Sequence, residues 1–420
     1  MPGFVGCTAG TVSYLPRARV AAESWRQHHP ESPFYVLLID GDDWPAEDEQ
    51  FEVVRPQEIG LGSEELAVQQ GIYDAYELSC ALRPYLIRLL LEQDAEAVVF
   101  TDTDTCFYAP VADLAGTASE FGLVLIPQTA RPAPNRIYFP LTEVEYRDVL
   151  NGFYNPGLFG VGASGADFLD WWADRLARDC LREPAAGMWT DQQWLDWAPV
   201  YFEHLIMRDS SLNVGFWNLD EREIHELDGR PAIDGAPLRH FHFAGFDPRR
   251  AEHLSTYRED DVRFVGRGWP PTPSPPVLTC LLQEYAQRLN ESGVEELRER
   301  PYPYDVSAGG RRLGRRERSI YREAVLAAEA QGADLPPNPF DPRRIDEFER
   351  LVDDPASLRS LSPQAQKRLE LVRPPGWSLS SLTRVSKRLV AGARYALTEA
   401  PPPDLAIRGR TPSDTVRLEY

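Results

Sequence analysis

The sequence predicts an α/β fold, with a mainly parallel sheet in the first two thirds of the chain and a smaller helical module after it. Three observations carry this. Short apolar runs alternate with amphipathic ones from residue 3 to about residue 126, the pattern of a parallel sheet with helices on both faces. The run Trp269-Pro-Pro-Thr-Pro-Ser-Pro-Pro276 can continue neither a helix nor a central strand, so it reads as a stiff linker. Charge also changes there, with 21 basic and 44 acidic residues up to position 270, then 23 basic and 21 acidic. The expected organisation is an α/β domain over 1–268, a linker over 269–276, a helical module over 277–355 and a basic, partly helical tail over 356–420.

In chain order, Gly3 to Thr8 is apolar enough for a buried strand, Arg17 to His28 has helical spacing and Phe34 to Ile39 is a second strand. A helix is expected over Leu78 to Gln93, then strands over Ala97 to Thr101 and Gly122 to Ile126. Beyond the linker, Val277 to Glu299, Glu317 to Gln331 and Arg344 to Val352 have helical spacing between Gly-, Pro- and Asn-rich turns.

Composition narrows the function. The 420 residues are 43% hydrophobic and 26% charged, as in ordinary globular proteins. A net charge of −21 repels polyanions, which argues against nucleic acid as a partner. The five cysteines, at 7, 80, 106, 180 and 280, form no CxxC pair, so neither a disulfide framework nor a zinc knuckle is indicated. A reducing, cytoplasmic setting is expected, since no signal-like or membrane-spanning run is found.

The chemistry concentrates where one strand ends. Ala97-Val-Val-Phe-Thr-Asp-Thr-Asp-Thr105 delivers Asp102 and Asp104 just past a buried run, the place where open α/β sheets bind ligands. Alternate residues point the same way, so both carboxylates can face one ligand. In an acidic domain such a pair suits a divalent cation, Mn²⁺ or Mg²⁺, carrying a diphosphate. A solvated acidic turn is the competing reading of DxD alone. The same strand pattern also describes haloacid-dehalogenase-type phosphatases, with Asp102 as nucleophile and Asp104 as acid. That reading needs a downstream basic residue and a late acidic pair, and the two lysines, Lys367 and Lys387, lie in the tail.

Further motifs follow in order: Phe4-Val-Gly-Cys-Thr-Ala-Gly-Thr-Val-Ser-Tyr14, Arg83 before the DxD strand, Phe153-Tyr-Asn-Pro-Gly-Leu-Phe159, Trp189-Thr-Asp-Gln-Gln-Trp194 and His240-Phe-His-Phe-Ala-Gly245. Together they resemble the GT-A-fold nucleotide-sugar glycosyltransferases of retaining family 8, over residues 3 to 248. Asn155-Pro-Gly, Trp171-Trp172, Asn213-Val-Gly-Phe-Trp-Asn-Leu and Phe241 to Pro248 look closer still to a bacterial glycosyltransferase domain found alone or fused to other transferases. The resemblance implies a GT-A catalytic domain moving a hexose from a nucleotide diphosphate, UDP in preference to GDP, to a saccharide or glycolipid, with retention of configuration. It implies Asp102, Asp104 and His242 as metal ligands, with His240 an alternative on the same strand face. Donor contacts fall on Thr8, Tyr14, Arg83, Asp102, Gly157 and Gly245, and catalytic roles on Asp191, Gln192 and Asn155. Asp191 has the competing role of a helix N-cap, and Arg83 that of a surface ion pair. Where the family carries Lys-Pro-Trp after the His segment this chain has Phe-Asp-Pro, leaving Arg249 and Arg250 as candidate replacement cations. A silent sugar-binding subunit is a further alternative.

Between residues 356 and 399 stand eight basic and two acidic residues, and Leu382, Val385, Leu389, Ala393 and Leu397 share a helical face. This suits peripheral membrane contact. A helix packed on the acidic domain is the competing reading.

Overall fold

A computed structural model describes residues 3–132, 148–149, 151–183, 187–219, 221–259 and 275–360. Most of the proline run and the tail beyond residue 360, with its amphipathic face, lie outside the described residues. The described residues fall in one compact unit.

The strands are β1 (Phe4–Gly10), β2 (Phe34–Leu38), β3 (Glu52–Val54), β4 (Ala97–Thr101), β5 (Thr105–Phe107), β6 (Leu123–Leu125) and β7 (Leu158–Gly162). After them come β8 (Arg182–Glu183), β9 (Met188–Trp189), β10 (Leu205–Ile206), β11 (Ile224–Leu227), β12 (Arg230–Ile233), β13 (Ala236–Pro237) and β14 (His240–His242). Seven of these form the main sheet in the order β10-β6-β7-β4-β1-β2-β3. Its pairs are parallel except those of β7, which runs against both β4 and β6. A strand buried on both faces reads as a continuous apolar run, and central β4 is fully buried along its length.

Helices α1 (Leu15–His28), α3 (Ala75–Ala81), α4 (Arg83–Glu92) and α5 (Ala112–Phe121) pack on the strands, with α2 (Ser63–Ile72) between β3 and α3 in the chain. The helix expected over 78–93 is two helices. Pro84 brings no N–H to the helical ladder, and the break at Leu82 makes Arg83 the first residue of α4. On one face of the sheet, Trp25, Phe107 and Leu114 share a core with Phe34 of β2 and Ala97 and Val99 of β4, and Phe4 of β1 packs against it.

The helix Pro276–Glu291 packs directly onto this layer. Leu278, Leu281, Leu282 and Leu289 share a core with Phe241 and Phe243, and Tyr285 stacks on Phe243 at 3.7 Å between ring centroids. Arg318, on the helix Arg315–Gln331, donates to the carbonyls of Gln70 and Tyr73 at the end of α2. Buried carbonyls at a helix end need such donors. The long helix expected over 277–299 ends at Glu291, where Gly293 takes a left-handed conformation, and a short helix, Val294–Leu297, follows. No helix of the described residues is long and apolar enough to cross a membrane.

Candidate functional site

The carboxyl ends of β1 and β4 open on a cluster of charged side chains. β4 ends at Thr101, whose hydroxyl donates to the Gly157 carbonyl (3.1 Å) and lies 3.0 Å from His240 Nε2. The Asp102 N–H also donates to that carbonyl, while the Asp104 carbonyl accepts the Phe243 N–H at 2.7 Å. The turn from Asp102 to Asp104 is therefore clamped between the start of β7 and the end of β14. Backbone clamping on both sides fixes the direction of the two carboxylates.

His242 completes the group. Its Nε2 lies 3.1 Å from Asp104 Oδ1 and 3.7 Å from Asp102 Oδ2. One ligand atom from each of the three residues falls within 4.8 Å of the others. His242 Nδ1 faces Asn213 Oδ1 at 3.3 Å, so the Nδ1–H tautomer turns the Nε2 lone pair toward the carboxylates. Two carboxylates and an imidazole form a donor set suited to Mn²⁺ or Mg²⁺. Burial opposes charge on His242, but Asp104 and then Asp102 outweigh it and hold its pKa above the ordinary value. Burial would raise the Asp104 pKa, yet His242 brings it below the usual carboxylate range. For Asp102 burial wins, and its pKa stays raised despite Arg83 and His242.

Arg83 lies behind this cluster, nearly enclosed. One guanidinium nitrogen donates to Asp102 Oδ1 (2.5 Å) and another to Asp191 Oδ2 (2.7 Å), while the group stacks on Phe100. The surface ion pair considered for Arg83 is ruled out by this burial. Asp191 is only 1% exposed, and its side chain makes no capping bond to the helix Gln192–Leu195. Its other oxygen accepts from Thr190 Oγ1. The carboxylate thus reaches the cluster through Arg83.

Asn155 joins three of the expected loops. Its side-chain oxygen accepts from the Gly157 N–H (2.8 Å) and from Asn213 Nδ2 (3.2 Å), while its nitrogen faces Gln192 Oε1 at 3.5 Å. A Cβ at Gly157 would lie 2.4 Å from the His242 ring, so only glycine fits beneath that ring. Gly245 has φ +72°, a left-handed turn that carries the chain from β14 past Tyr257. Tyr14 is 47% exposed at the rim. Thr8 is fully buried inside β1, so its side chain is not on an accessible surface. His240, the alternative ligand, is also enclosed. Its Nε2 is engaged by Thr101, and burial pushes its pKa far down. Arg249 is bound by Asp247 beside it and is not a free cation for the cluster.

The sequence reading gave no role to Asn213 or Trp217. Asn213 (φ +47°) carries the bond to His242, and Trp217 meets the His242 ring edge-on at 5.1 Å. Asn218 folds this loop by donating to the carbonyls of Gln128 and Asn213 and accepting the Gly215 N–H. Asn213-x-Gly-x-x-Asn218 was the available signal, since asparagine is the residue that tolerates positive φ and bonds local backbone.

No family model matches the sequence. The chain is 26% identical over 255 residues to the uncharacterized protein YfnF of Bacillus subtilis (strain 168), covering 57% of this chain and 80% of that protein. It is 25% identical over 180 residues to the uncharacterized protein YfnD of the same strain, covering 41% of this chain and about half (54%) of that protein. Among solved structures it is similar to a glycosyltransferase involved in the glycosylation of the major capsid of PBCV-1. That match has a TM-score of 0.34 and 14% identity, and covers 60% of this chain and 98% of the other.

Proposed function

We propose that this chain is a metal-dependent glycosyltransferase that moves a hexose from a nucleoside diphosphate, UDP in preference to GDP, onto a saccharide or glycolipid acceptor. The observation that carries the reading is the convergence of Asp102, Asp104 and His242 at the carboxyl edge of a mainly parallel sheet, with Arg83 beside them. Loss of a diphosphate leaving group is the step with the greatest electrostatic demand, and a divalent ion supplies the charge that meets it. Asp102, Asp104 and His242 would hold the ion.

The chain's own groups do the positioning. Asn213 sets the His242 tautomer, and Gly157 leaves the ring its space. Arg83 fixes Asp102 from behind. In this account Asp191 is a positioning residue, because its carboxylate is spent on Arg83. Asn155 and Gln192 form the wall facing the donor sugar, Tyr14 lies at the nucleobase end, and Gly245 lets the chain turn at the rim. Retention of configuration belongs to the same proposal and is read from the anomeric signal of the product by NMR.

The test is a release assay on the full chain with a panel of nucleotide sugars and Mn²⁺. Nucleoside diphosphate release, lost in Asp104→Asn, is expected. Free phosphate from a phosphomonoester would favour the phosphatase chemistry, and donor binding without turnover a silent sugar-binding subunit.

A further inference from the structure

The cluster carries three carboxylates, Asp102, Asp104 and Asp191, against one buried guanidinium, Arg83, which is already shared between two of them. A divalent ion would balance these groups and no more. A diphosphate entering the site brings further negative charge and needs another cation.

Most half-buried arginines among the described residues are committed to carboxylates, such as Arg19 to Glu49, Arg178 to Glu65 and Arg288 to Glu23. Arg17 is an exception beside the cluster. Half-buried in the first turn of α1, it has no carboxylate within ion-pair distance among the described residues. Its guanidinium lies over the Tyr14 ring at 4.7 Å, and one nitrogen faces the Phe246 carbonyl at 3.4 Å. Both neighbours belong to the rim. Phe246 follows Gly245 at the exit of β14, and Tyr14 packs beside Gly10, where a side chain would come within 3.0 Å of the Thr103 methyl, between the two aspartates. The field of Arg17 also reaches Asp104.

We infer that Arg17 is a second, protein-borne cation for the donor diphosphate, held in place by the Tyr14 ring. The inference rests on the functional reading above and deepens it. It assigns the charge-neutralising role to a residue of α1 and not to Arg249, which Asp247 already binds. A guanidinium stacked on an exposed ring keeps its outward N–H donors free for phosphate oxygens while losing little side-chain freedom.

The experiment compares binding of UDP, GDP, dTDP and CDP to the full chain by calorimetry in Mn²⁺, and binding of the matching nucleoside by NMR titration. Arg17→Ala is expected to weaken the preferred diphosphate by about 10- to 100-fold, while nucleoside affinity stays within about twofold. Arg17→Gln, which retains the side-chain stem without the charge, should behave like Arg17→Ala at an unchanged melting temperature. Unchanged diphosphate affinity in both variants, or equal loss for diphosphate and nucleoside, overturns the role of Arg17 and leaves the transferase reading standing. A wild-type chain that binds none of the four diphosphates overturns both.

Discussion

Two buried imidazoles show how different surroundings give one residue type opposite electrostatics. His29 sits in the core at the end of α1, where its ring packs on Trp25 and meets Phe4 and Phe107 edge-on. Its Nε2 accepts the Val111 N–H at 2.9 Å, and burial takes its pKa down to about 4. His242 is equally enclosed, yet faces two carboxylates and has its pKa raised. Burial alone does not distinguish a ligand from a core plug. The groups facing each nitrogen do, and the predictions below probe that difference.

The largest effect is expected at the carboxylates. Asp102→Asn and Asp104→Asn should each lower nucleoside diphosphate release from a nucleotide sugar by about 100- to 1000-fold in Mn²⁺. Near-normal turnover in either variant would make the His242 region no different in kind from the His29 region. Next is Arg83→Ala, which strands Asp191 in the interior without its cation. Chemical denaturation should show a loss of about 3–5 kcal/mol, as for a buried pair robbed of one partner. Asp191→Asn should cost less stability, because the Arg83 pair with Asp102 remains, but should lower turnover by loosening Arg83.

His29 offers a test by pH. Its folded pKa of about 4 lies below the ordinary value of about 6.5, so the unfolded chain takes up the proton first as pH falls. Its contribution is fully present above about pH 6.5 and is lost as pH drops toward 4, by about 3 kcal/mol in all. Denaturation at pH 7 and pH 4.5 should show most of that loss, and His29→Gln should remove this component of the pH slope. The smallest effect is expected at Asn213→Ala, which frees the His242 tautomer and should weaken Mn²⁺ binding by about 10- to 100-fold without abolishing it.

Much of this was legible in the sequence. The apolar run Ala97 to Phe100 read as a buried strand, and its end at Thr101 predicted where the carboxylates would stand. The spacing of His240 and His242 placed both on one strand without showing which met the carboxylates. That choice depends on β14 pairing with β5, a long-range register that periodicity does not encode. The break at Leu82 was hidden because the apolar spacing of α3 runs on into α4, although Pro84 was a signal for it. Asp191 had the sequence of a helix cap and became the partner of a residue 108 positions away. Such pairings follow from topology, which local pattern cannot specify.

The central claim is that Asp102, Asp104 and His242 hold a divalent cation that presents a diphosphate. Electron paramagnetic resonance of free Mn²⁺ during titration with the full chain tests it most directly. The account predicts one saturable site, lost in Asp102→Asn and in Asp104→Asn and tightened by a nucleoside diphosphate. Absence of a saturable site in the wild-type chain, or a site equally strong in both variants, would contradict it.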